Sequence, residues 1–306
     1  MNVFGLLEAA AIVTILFSFI TGFAIPHRNI ELFTHFRLQY FVISILLMLL
    51  FAVLRDPVLA GALLLTALFN ATFILPWYFN RATGSSGTLL KFVHANVRSS
   101  NSDYQRLLDF IADEDPDVIF LQEVTPDWHD GIRELSQKYP HGLSESRQGN
   151  FGIALYSKTP LRSVRHIDSP PLGHPTIIAV TTISGEQVTL ISTHPAIPVG
   201  RDLYAARNEH LESVAALVRQ TQGKIVLLGD FNASIWCAHY RQLEKSTGLR
   251  NTRKGFGILP SWPTFLPFAM IPIDHALVSS EIDVVAMKTG KRIGSDHLPL
   301  IVTLSF

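Results

Sequence analysis

Three long apolar runs in the first eighty residues constrain the fold of this chain more than any other feature. They extend over Val3–Ile25, Leu38–Leu54 and Val58–Phe79. A helix that spans the hydrocarbon core of a bilayer needs about 20 apolar residues, with a range of roughly 17–25. The first and third runs have this length, and the second lies at the lower limit. Because no basic residue precedes the first run, a cleaved signal peptide is disfavoured, and we predict a three-helix transmembrane anchor over residues 1–80.

The charged residues divide the chain into two parts. Only six of the 50 charged side chains lie in residues 1–80, and 44 lie in the other 226 residues, 22 of them basic and 22 acidic. The first part is too apolar for a soluble protein, whereas the second has the composition of an ordinary soluble domain. Its neutral balance lacks the excess positive charge on which non-specific nucleic-acid binders depend. The single cysteine, Cys237, excludes an internal disulfide and a zinc site built from cysteines.

A short polar segment separates the anchor from the soluble part. Residues 81–87 are small, polar and rich in glycine and serine, which is the composition of a flexible linker. In residues 88–306, short runs rich in Val, Ile and Leu alternate with helical patterns, and short connections between some runs imply antiparallel neighbours, so we predict one large α/β domain with mixed sheets. The predicted helices are Asp103–Ala112, Trp128–Gln137 and Leu203–Gln220. The predicted strands are Leu89–His94, Val118–Gln122, Gly152–Ser157, Thr176–Thr182, Val188–Ser192, Ile225–Leu228, Ile273–Val278, Val284–Met287 and Leu300–Leu304.

Acids, amides and histidines occur at the ends of six predicted strands. They are Asn96, Glu123, His194, Asp230 with Asn232, Asp274, and Asp296 with His297. Each alone has a simpler explanation, such as an asparagine in a turn, a solvated carboxylate or a buried core histidine. Together they favour one site, because α/β folds assemble their sites at strand ends. Carboxylate and amide oxygens suit Mg²⁺ or Mn²⁺, and histidines stabilise charge on phosphoryl oxygens, so we predict metal-assisted attack on phosphorus.

At these residues the chain resembles the endonuclease/exonuclease/phosphatase superfamily, which includes DNase I, AP endonucleases, inositol polyphosphate 5-phosphatases and neutral sphingomyelinases. The resemblance covers about residues 88–306, and its motifs occur in the order of the family. It implies a four-layer α/β sandwich, in which two packed mixed sheets are flanked by helices. It also implies hydrolysis of phosphoric esters that depends on a divalent metal.

The resemblance further implies a role for each motif residue. Asn96, Glu123 and Asp296 would belong to the metal site. Asp230 would orient or deprotonate the attacking water, which Asn232 would position together with the phosphate. The remaining assignments are that His297 contacts the phosphoryl group and is oriented by Asp274, and that His194 stabilises the transition state or protonates the leaving group.

Two further expectations concern a histidine and an arginine. AP endonucleases usually carry a tyrosine at the position that matches His194, so this chain is more similar to the DNase, sphingomyelinase and 5-phosphatase branches. Arg207 lies on the predicted helix after His194, where it would either bind a substrate phosphate or be an ordinary exposed arginine.

Two features of the sequence predict opposite locations for the catalytic domain. A cytoplasmic domain would place Arg28 and Arg37 inside and Arg55 outside, and the positive-inside rule favours this arrangement. The chain also resembles bacterial members of the family that are anchored by three amino-terminal spans in the plasma (inner) membrane and face outward. We give the family resemblance slightly more weight and predict an extracytoplasmic domain.

Three functions are compatible with these features. The first is a membrane-anchored phosphoesterase that hydrolyses a lipid-linked or membrane-proximal phosphate ester, with membrane lipids as its surroundings. The second is a metal-dependent nuclease, which the neutral charge of the domain disfavours. The third is an inactive membrane receptor of the same fold, which the complete set of motif residues disfavours.

Overall fold

The computed structural model describes residues 3–23, 25–79 and 87–306 of the chain. Nine α-helices, two short 3-10 helices (Leu75–Trp77 and Pro267–Ala269) and twelve strands lie within these residues. The helices are α1 (Val3–Gly22), α2 (Arg28–Thr34), α3 (Arg37–Val53), α4 (Pro57–Ile74), α5 (Tyr104–Glu114), α6 (Pro126–Gly131), α7 (Leu135–Lys138), α8 (Gly200–Gln220) and α9 (Ala238–Thr247). The strands are β1 (Leu89–Asn96), β2 (Val118–Gln122), β3 (His141–Glu145), β4 (Ile153–Ser157), β5 (Leu161–Ser169), β6 (His174–Ile183), β7 (Glu186–Thr193), β8 (Lys224–Asp230), β9 (Arg250–Asn251), β10 (Asp274–Val278), β11 (Asp283–Thr289) and β12 (Leu300–Ser305).

The anchor differs from three straight spanning helices. Two segments, Val3–Gly22 and Pro57–Trp77, are long and apolar enough to cross a membrane, and the pair α2 and α3 counts as a third span only if its 60° bend is accepted. The reason is length: α3 has 17 residues, which at 1.5 Å per residue is about 26 Å, shorter than a hydrocarbon core of about 30 Å. The described residues therefore contain two candidate spans, or three if the bent pair is one span, and the three-helix anchor stays a prediction.

Buried polar side chains hold the anchor helices together. Arg37 donates to the carbonyl oxygen of Ser18 at 2.8 Å and to Oδ1 of Asn70 at 2.9 Å. Asn70 in turn donates to the hydroxyl of Ser18 at 2.9 Å. Because lipid tails offer no hydrogen bonds, such polar contacts are an effective way to join helices in a bilayer. Asn70 therefore links α4 to α1 and to the start of α3.

The soluble part contains two mixed six-stranded sheets. The strand order is β11-β12-β1-β2-β4-β3 in the first sheet and β5-β6-β7-β8-β10-β9 in the second. Their facing sides form one apolar core, to which Phe92 and Phe120 contribute from the first sheet and Leu190 and Val226 from the second. Helices α5 and α6 cover the outside of the first sheet, and α8 and α9 cover the second. This arrangement confirms the predicted sandwich of two mixed sheets with flanking helices.

All nine predicted strands are present in this sandwich, with ends that shift by a few residues. Three strands were not predicted: β3 and β5 are edge strands in which few residues are buried, and β9 has two residues. Edge strands carry polar residues on both faces and therefore lack the apolar signal of central strands. Helix α9 was also missed. The predicted helix Trp128–Gln137 is divided into α6 and α7, which are separated just after Gly131, a poor helix former.

The amino-terminal helices pack directly on the α/β domain. The carbonyl oxygen of Trp77 accepts the backbone N–H groups of Gly255 at 3.0 Å and Gly257 at 2.8 Å. Ile74 is buried in the apolar cluster of the second sheet and its helices. Gln39, at the start of α3, donates to the carbonyl oxygen of Met270 at 3.0 Å. The predicted linker 81–87 lies outside the described residues, except for Gly87.

Candidate active site

The predicted site residues meet where the central strands of the two sheets end. β1 and β2 are parallel neighbours in the first sheet, and β7 and β8 are parallel neighbours in the second. Parallel strands bring their carboxyl ends to one edge, so Asn96, Glu123, His194 and Asp230 come together there. Asp274 begins β10, which runs antiparallel to β8, and therefore lies opposite Asp230 in the register.

Asn96 connects two carboxylates at the centre of this edge. Its Nδ2 atom donates to Oε1 of Glu123 at 3.0 Å and to Oδ2 of Asp230 at 3.2 Å. The other oxygen of Asp230 accepts the backbone N–H of Asn232 at 2.9 Å. Four of the predicted residues thus form one hydrogen-bonded chain that crosses from the first sheet to the second.

A close approach between the sheets fixes the position of Asp230. A side chain at Gly229 is excluded, because a Cβ atom there would lie 2.0 Å from the carbonyl oxygen of Thr193. The amide of Gln122 occupies the same gap and donates to that carbonyl oxygen, while its Oε1 atom accepts the backbone N–H of Asp230 at 2.7 Å. Glycine at 229 and glutamine at 122 therefore lock β2, β7 and β8 together beneath the site.

Two of the site residues have an unusual backbone conformation. Glu123 has a φ of 63° and Asn232 a φ of 49°. For residues other than glycine this left-handed region costs on the order of 1–3 kcal/mol, although asparagine tolerates it best. Such conformations persist where surrounding contacts enforce them, and here they direct both side chains into the same cleft.

Three buried side chains are joined by a series of hydrogen bonds that runs from His297 through Asp274 to His94 in the interior. Nδ1 of His297 lies 2.9 Å from Oδ2 of Asp274, whose other oxygen lies 2.9 Å from Nε2 of His94. Burial lowers the pKa of His297, but the carboxylates of Asp274 and Asp230 outweigh burial and raise it to about 9. Although burial opposes its ionisation, Asp274 is held ionised by His297 and His94, which keep its pKa well below the usual range. His297 is therefore a cation at neutral pH.

Asp230 is placed between two histidines. Its Oδ2 atom lies 3.6 Å from Nε2 of His194 and 3.7 Å from Nε2 of His297. Burial, together with the negative charge of Asp274, raises the pKa of Asp230 to about 7. Burial, together with the nearby cation of His297, lowers the pKa of His194 to about 3. The site therefore holds a carboxylate whose pKa suits proton acceptance near neutral pH beside a neutral and a charged imidazole.

These side chains open into a cleft of about 800 Å³. Glu123, Asp230, Asn232 and His297 line it, and so does Asp296. One carboxylate oxygen of Asp296 accepts the indole N–H of Trp262 at 3.2 Å. Among the described residues, no hydrogen bond or ion pair joins Asp296 to Asn96, Glu123 or Asp230, with which it shares the cleft.

The donor set of this cleft fits a hard divalent cation. Glu123 is 7% exposed, and no described cationic side chain lies within 4 Å of its carboxylate. A buried carboxylate without a cation is costly, so the arrangement favours a bound one. Asn96 and Asp296 carry further oxygen atoms of the kind that Mg²⁺ and Mn²⁺ prefer. In the structure, Oδ1 of Asn96 accepts the backbone N–H of Arg98, and Asp296 lines the same cleft. A second possible ligand group is Asp230, Asp274 and His297, whose nearest ligand atoms all lie within 4.8 Å of one another.

Arg207 does not have the position expected of a phosphate-binding residue. Its side chain is 0% exposed and forms an ion pair with Glu31 of α2. It also donates to the carbonyl oxygen of Asn232 at 2.7 Å and to the side chain of Asn208. The expectation of substrate binding is therefore corrected: Arg207 is a positioning residue that joins the anchor to the strained turn at Asn232.

The role of Arg207 can be tested by stability. We expect Arg207→Met to lower the apparent Tm of the full chain by at least about 5 °C, because removal of one partner from a buried ion pair costs about 3–5 kcal/mol. The double variant Glu31→Met/Arg207→Met should recover most of this loss. A single variant of unchanged Tm but raised KM would instead support substrate binding.

Another group of possible ligands lies between α2 and the α/β domain. The nearest ligand atoms of Glu31, His35 and Cys237 lie within 4.8 Å of one another, and all three residues are buried. The guanidinium of Arg207 already neutralises Glu31. The group therefore serves the packing of α2 on the domain.

A small basic pocket adjoins the cleft at Asp296. It has a volume of about 250 Å³ and is lined by Arg98, Arg106 and Arg292. Arg106 pairs with Asp103 at 2.7 Å, and Arg98 lies 4.0 Å from Asp296. The pocket therefore offers a partly compensated positive charge beside the site.

Three residues of this region were not predicted from the sequence. They are His94, which supports Asp274, Gln122, which supports Asp230, and Trp262, which supports Asp296. His94 precedes Asn96 by two positions on β1, so both side chains lie on the face of the sheet that points to the second sheet. This alternation is the signal that would have identified His94. Gln122 and Trp262 reveal their roles only through contacts with distant strands.

Comparison with known proteins gives a consistent result for the soluble domain. The sequence model of the Endonuclease/Exonuclease/phosphatase family matches residues 93–297. No relative is found among curated protein sequences.

Several solved structures share the fold. TDP2 of D. rerio, in a complex with single-strand DNA product, superposes with a TM-score of 0.62 at 18% identity over 72% of this chain and 100% of that chain. An endonuclease/exonuclease/phosphatase from Bacteroides vulgatus gives a TM-score of 0.61 at 17% identity over 72% and 99%. The human Nocturnin catalytic domain with bound sulfate gives 0.59 at 19% identity over 76% and 99%. At these identities the likeness concerns the fold alone.

Proposed function

The chain belongs to the endonuclease/exonuclease/phosphatase family, and from this premise we propose that it is a membrane-anchored, divalent-metal-dependent phosphoesterase. The family consists of metal-dependent phosphoesterases and nucleases, so the class of reaction is hydrolysis of a phosphoric ester. The observation that carries the proposal is the convergence around Asp230, which lies within 3.7 Å of Asn96, His194 and His297. A purely structural role does not account for so many ionisable groups in one cleft.

We assign the hydrolytic roles from these contacts. Asp230 accepts the proton of the attacking water, because its raised pKa leaves it basic at neutral pH. Asn232 orients that water and the phosphate from the turn beside it. The cation of His297 stabilises negative charge on the phosphoryl oxygens, and Asp274 holds its ring in place. His194 is uncharged and its Nε2 atom lies 3.6 Å from Asp230, so it passes the proton that Asp230 takes from the water on to the leaving oxygen.

The residues that would hold the metal are Asn96, Glu123 and Asp296. When bound, a divalent cation such as Mg²⁺ or Mn²⁺ polarises the phosphoryl group and compensates its negative charge. Asn96 also has a structural role, because its amide N–H groups donate to the carboxylates of both Glu123 and Asp230 and hold them on either side of the amide. The metal side and the proton-accepting side of the cleft are thereby fixed relative to each other.

The preferred substrate is a lipid-linked or membrane-proximal phosphate ester. The anchor supports this choice, because Gln39 and Trp77 bond it to the domain that carries the cleft. Attachment confines the site to the membrane surface and raises its effective concentration toward substrates there. We propose the organisation 1–80 for the anchor and 88–306 for the catalytic domain, with the domain on the outer side of a bacterial plasma membrane.

A nuclease is the second candidate, and the basic pocket favours it. Arg98, Arg106 and Arg292 beside Asp296 could accept a neighbouring phosphate of a nucleic acid. Against it stands the neutral charge of the domain, because duplex binding usually needs several phosphate contacts. An inactive receptor is less compatible still, because every motif residue is retained.

A substrate panel tests the proposal. The full chain in detergent should hydrolyse an aryl phosphodiester with added Mn²⁺ or Mg²⁺, and excess chelator should abolish the activity. Lipid phosphates should be turned over faster than single- or double-stranded DNA, with little dependence on salt, whereas nucleic-acid turnover should fall steeply as salt rises. Equal activity with metal and with chelator would refute the proposed function, and a preference for DNA would support the nuclease.

A further inference from the structure

The cleft that holds the site residues has two chemically different ends. Its polar side chains include Glu123, Asp230 and His297, here called the polar end, and the wall here called the apolar end is formed mainly by aliphatic and aromatic side chains. The apolar end is lined from the anchor by Leu32, Phe33 and Phe36, and from the domain by Ile197, Val199 and Ile271. The total volume of about 800 Å³ lies in the upper part of the range for small-molecule sites, about 300–1,000 Å³. The polar end therefore uses only a part of the available space.

Helix α2 is held so that its apolar side chains face the cleft. Glu31 and Thr34 are buried against the protein, and Glu31 is fixed by its ion pair with Arg207. On the other side, Leu32 remains 50% exposed and Phe33 41% exposed. The ring of Phe33 packs on Phe17 of α1, with ring centroids 4.4 Å apart. Helix α2 thus presents partly exposed apolar side chains to a cleft that also holds polar groups.

The apolar end is continuous with the part of the molecule that enters the membrane. The start of α3 contacts the domain through Gln39 and Met270, directly beside Ile271. Around the entrance, Val199 is 70% exposed and Phe268 is 77% exposed. Exposed apolar patches of this kind mark sites of membrane or ligand contact. The apolar side chains of α2 and of the loops around Val199 and Ile271 therefore offer a hydrocarbon chain a route into the cleft.

The charge of the cleft distinguishes among possible occupants. Among the described residues that line it, Arg98 is the only lysine or arginine, and it lies at the polar end beside Asp296. A nucleic acid that extended along the apolar end would find no group there to compensate its phosphates. An alkyl chain needs no such group.

We propose that the apolar end of the cleft binds the hydrocarbon tail of an amphipathic phosphate ester whose phosphate lies at Asp230 and His297. The inference rests on the proposed phosphoesterase function and makes the substrate class more specific. It also makes α2 a wall of the substrate site, so that the site is incomplete without the anchor.

Photo-crosslinking tests the tail site without requiring turnover. The full chain in phosphatidylcholine nanodiscs is irradiated with a dodecyl phosphonate that carries a diazirine at the end of its chain. We expect adducts in residues 28–36 and in the loops around Val199 and Ile271, and we expect excess unlabelled dodecyl phosphonate to suppress them. The matching diazirine-labelled dodecanol should label the spanning helices only. Adducts of the phosphonate that are confined to the spanning helices would overturn the proposal.

Substrate preference gives an independent test. The measured quantity is the ratio of kcat/KM for an aryl octyl phosphodiester to that for the aryl methyl ester, because the ratio cancels effects common to both. Burial of one methylene strengthens binding about fourfold, so Leu32→Ala/Phe33→Ala should lower the ratio by at least about tenfold. The matched control Leu46→Ala/Leu49→Ala, which removes exposed side chains of α3 away from the cleft, should retain it.

The outcomes separate the tail site from the proposed function. An unchanged ratio in the Leu32→Ala/Phe33→Ala variant would overturn the tail site while leaving the phosphoesterase intact. If the wild-type chain hydrolyses neither ester, the proposed function fails, and the crosslinking pattern still decides whether the cleft binds a tail.

Discussion

Replacing Asp230 with asparagine should lower kcat/KM for an aryl phosphodiester by about 10³–10⁴-fold, because the variant lacks the group that accepts the proton of the attacking water. Asparagine has nearly the same size, and its carbonyl oxygen can still accept the backbone N–H of Asn232. The variant also loses a buried carboxylate whose ionisation is opposed by burial. We therefore expect its Tm to equal or exceed that of the wild type while its activity is nearly abolished.

The measurement compares steady-state rates and thermal unfolding of the full chain with saturating Mn²⁺. Asp109→Asn is the matched control, because Asp109 is exposed on α5 and bonds only to Gln105 among the described residues. The control should keep wild-type rates. Activity of Asp230→Asn within tenfold of the wild type would remove Asp230 from the catalytic role.

Replacing His297 with glutamine should lower kcat/KM by about 10²–10³-fold at neutral pH. The cation is lost at the point where charge develops on the phosphoryl oxygens, and removal of one such donor usually has an effect of this size. Glutamine can still donate to Oδ2 of Asp274, so part of the buried network is retained. The exposed His129, which lies outside the cleft, provides the control variant His129→Gln.

The dependence on pH separates the charge of His297 from its packing. The wild-type rate should fall as pH rises through about 9, because His297 then loses its proton and the site loses a positive charge. Asp274 helps to raise this pKa, so Asp274→Asn should move the alkaline fall in rate to lower pH. A profile that stays flat between pH 7 and 10 in the wild type would contradict the role of the His297 cation.

Much of the catalytic domain could be predicted from local sequence. Central strands such as Val118–Gln122 are buried on both faces, so their apolar runs are unambiguous. The same reasoning fails for β3 and β5, because an edge strand needs few apolar residues. It fails for Trp128–Gln137 because a helical pattern does not reveal where packing interrupts a helix. Apolar length alone also does not show that α2 is bent by 60° relative to α3.

The members of the site follow from the sequence, whereas their partners do not. Asn96, Glu123 and Asp230 stand at strand ends, and the strand order together with the packing of the two sheets brings these ends to one edge. Arg207 illustrates the limit. The sequence predicts that this arginine lies on a helix, but the direction of its side chain depends on Glu31, which lies 176 positions earlier in the chain.

The sequence by itself determined the composition of each part: an apolar anchor, an α/β domain, and a set of oxygen and imidazole groups at strand ends. These properties are local, because burial of a strand or a helix in apolar surroundings is encoded by the residues of that element. Only the tertiary structure shows that α2 and Asp230 line the same cleft. That arrangement depends on contacts between residues far apart in the chain, such as Arg207 with Glu31 and Trp77 with Gly257, which no periodicity records.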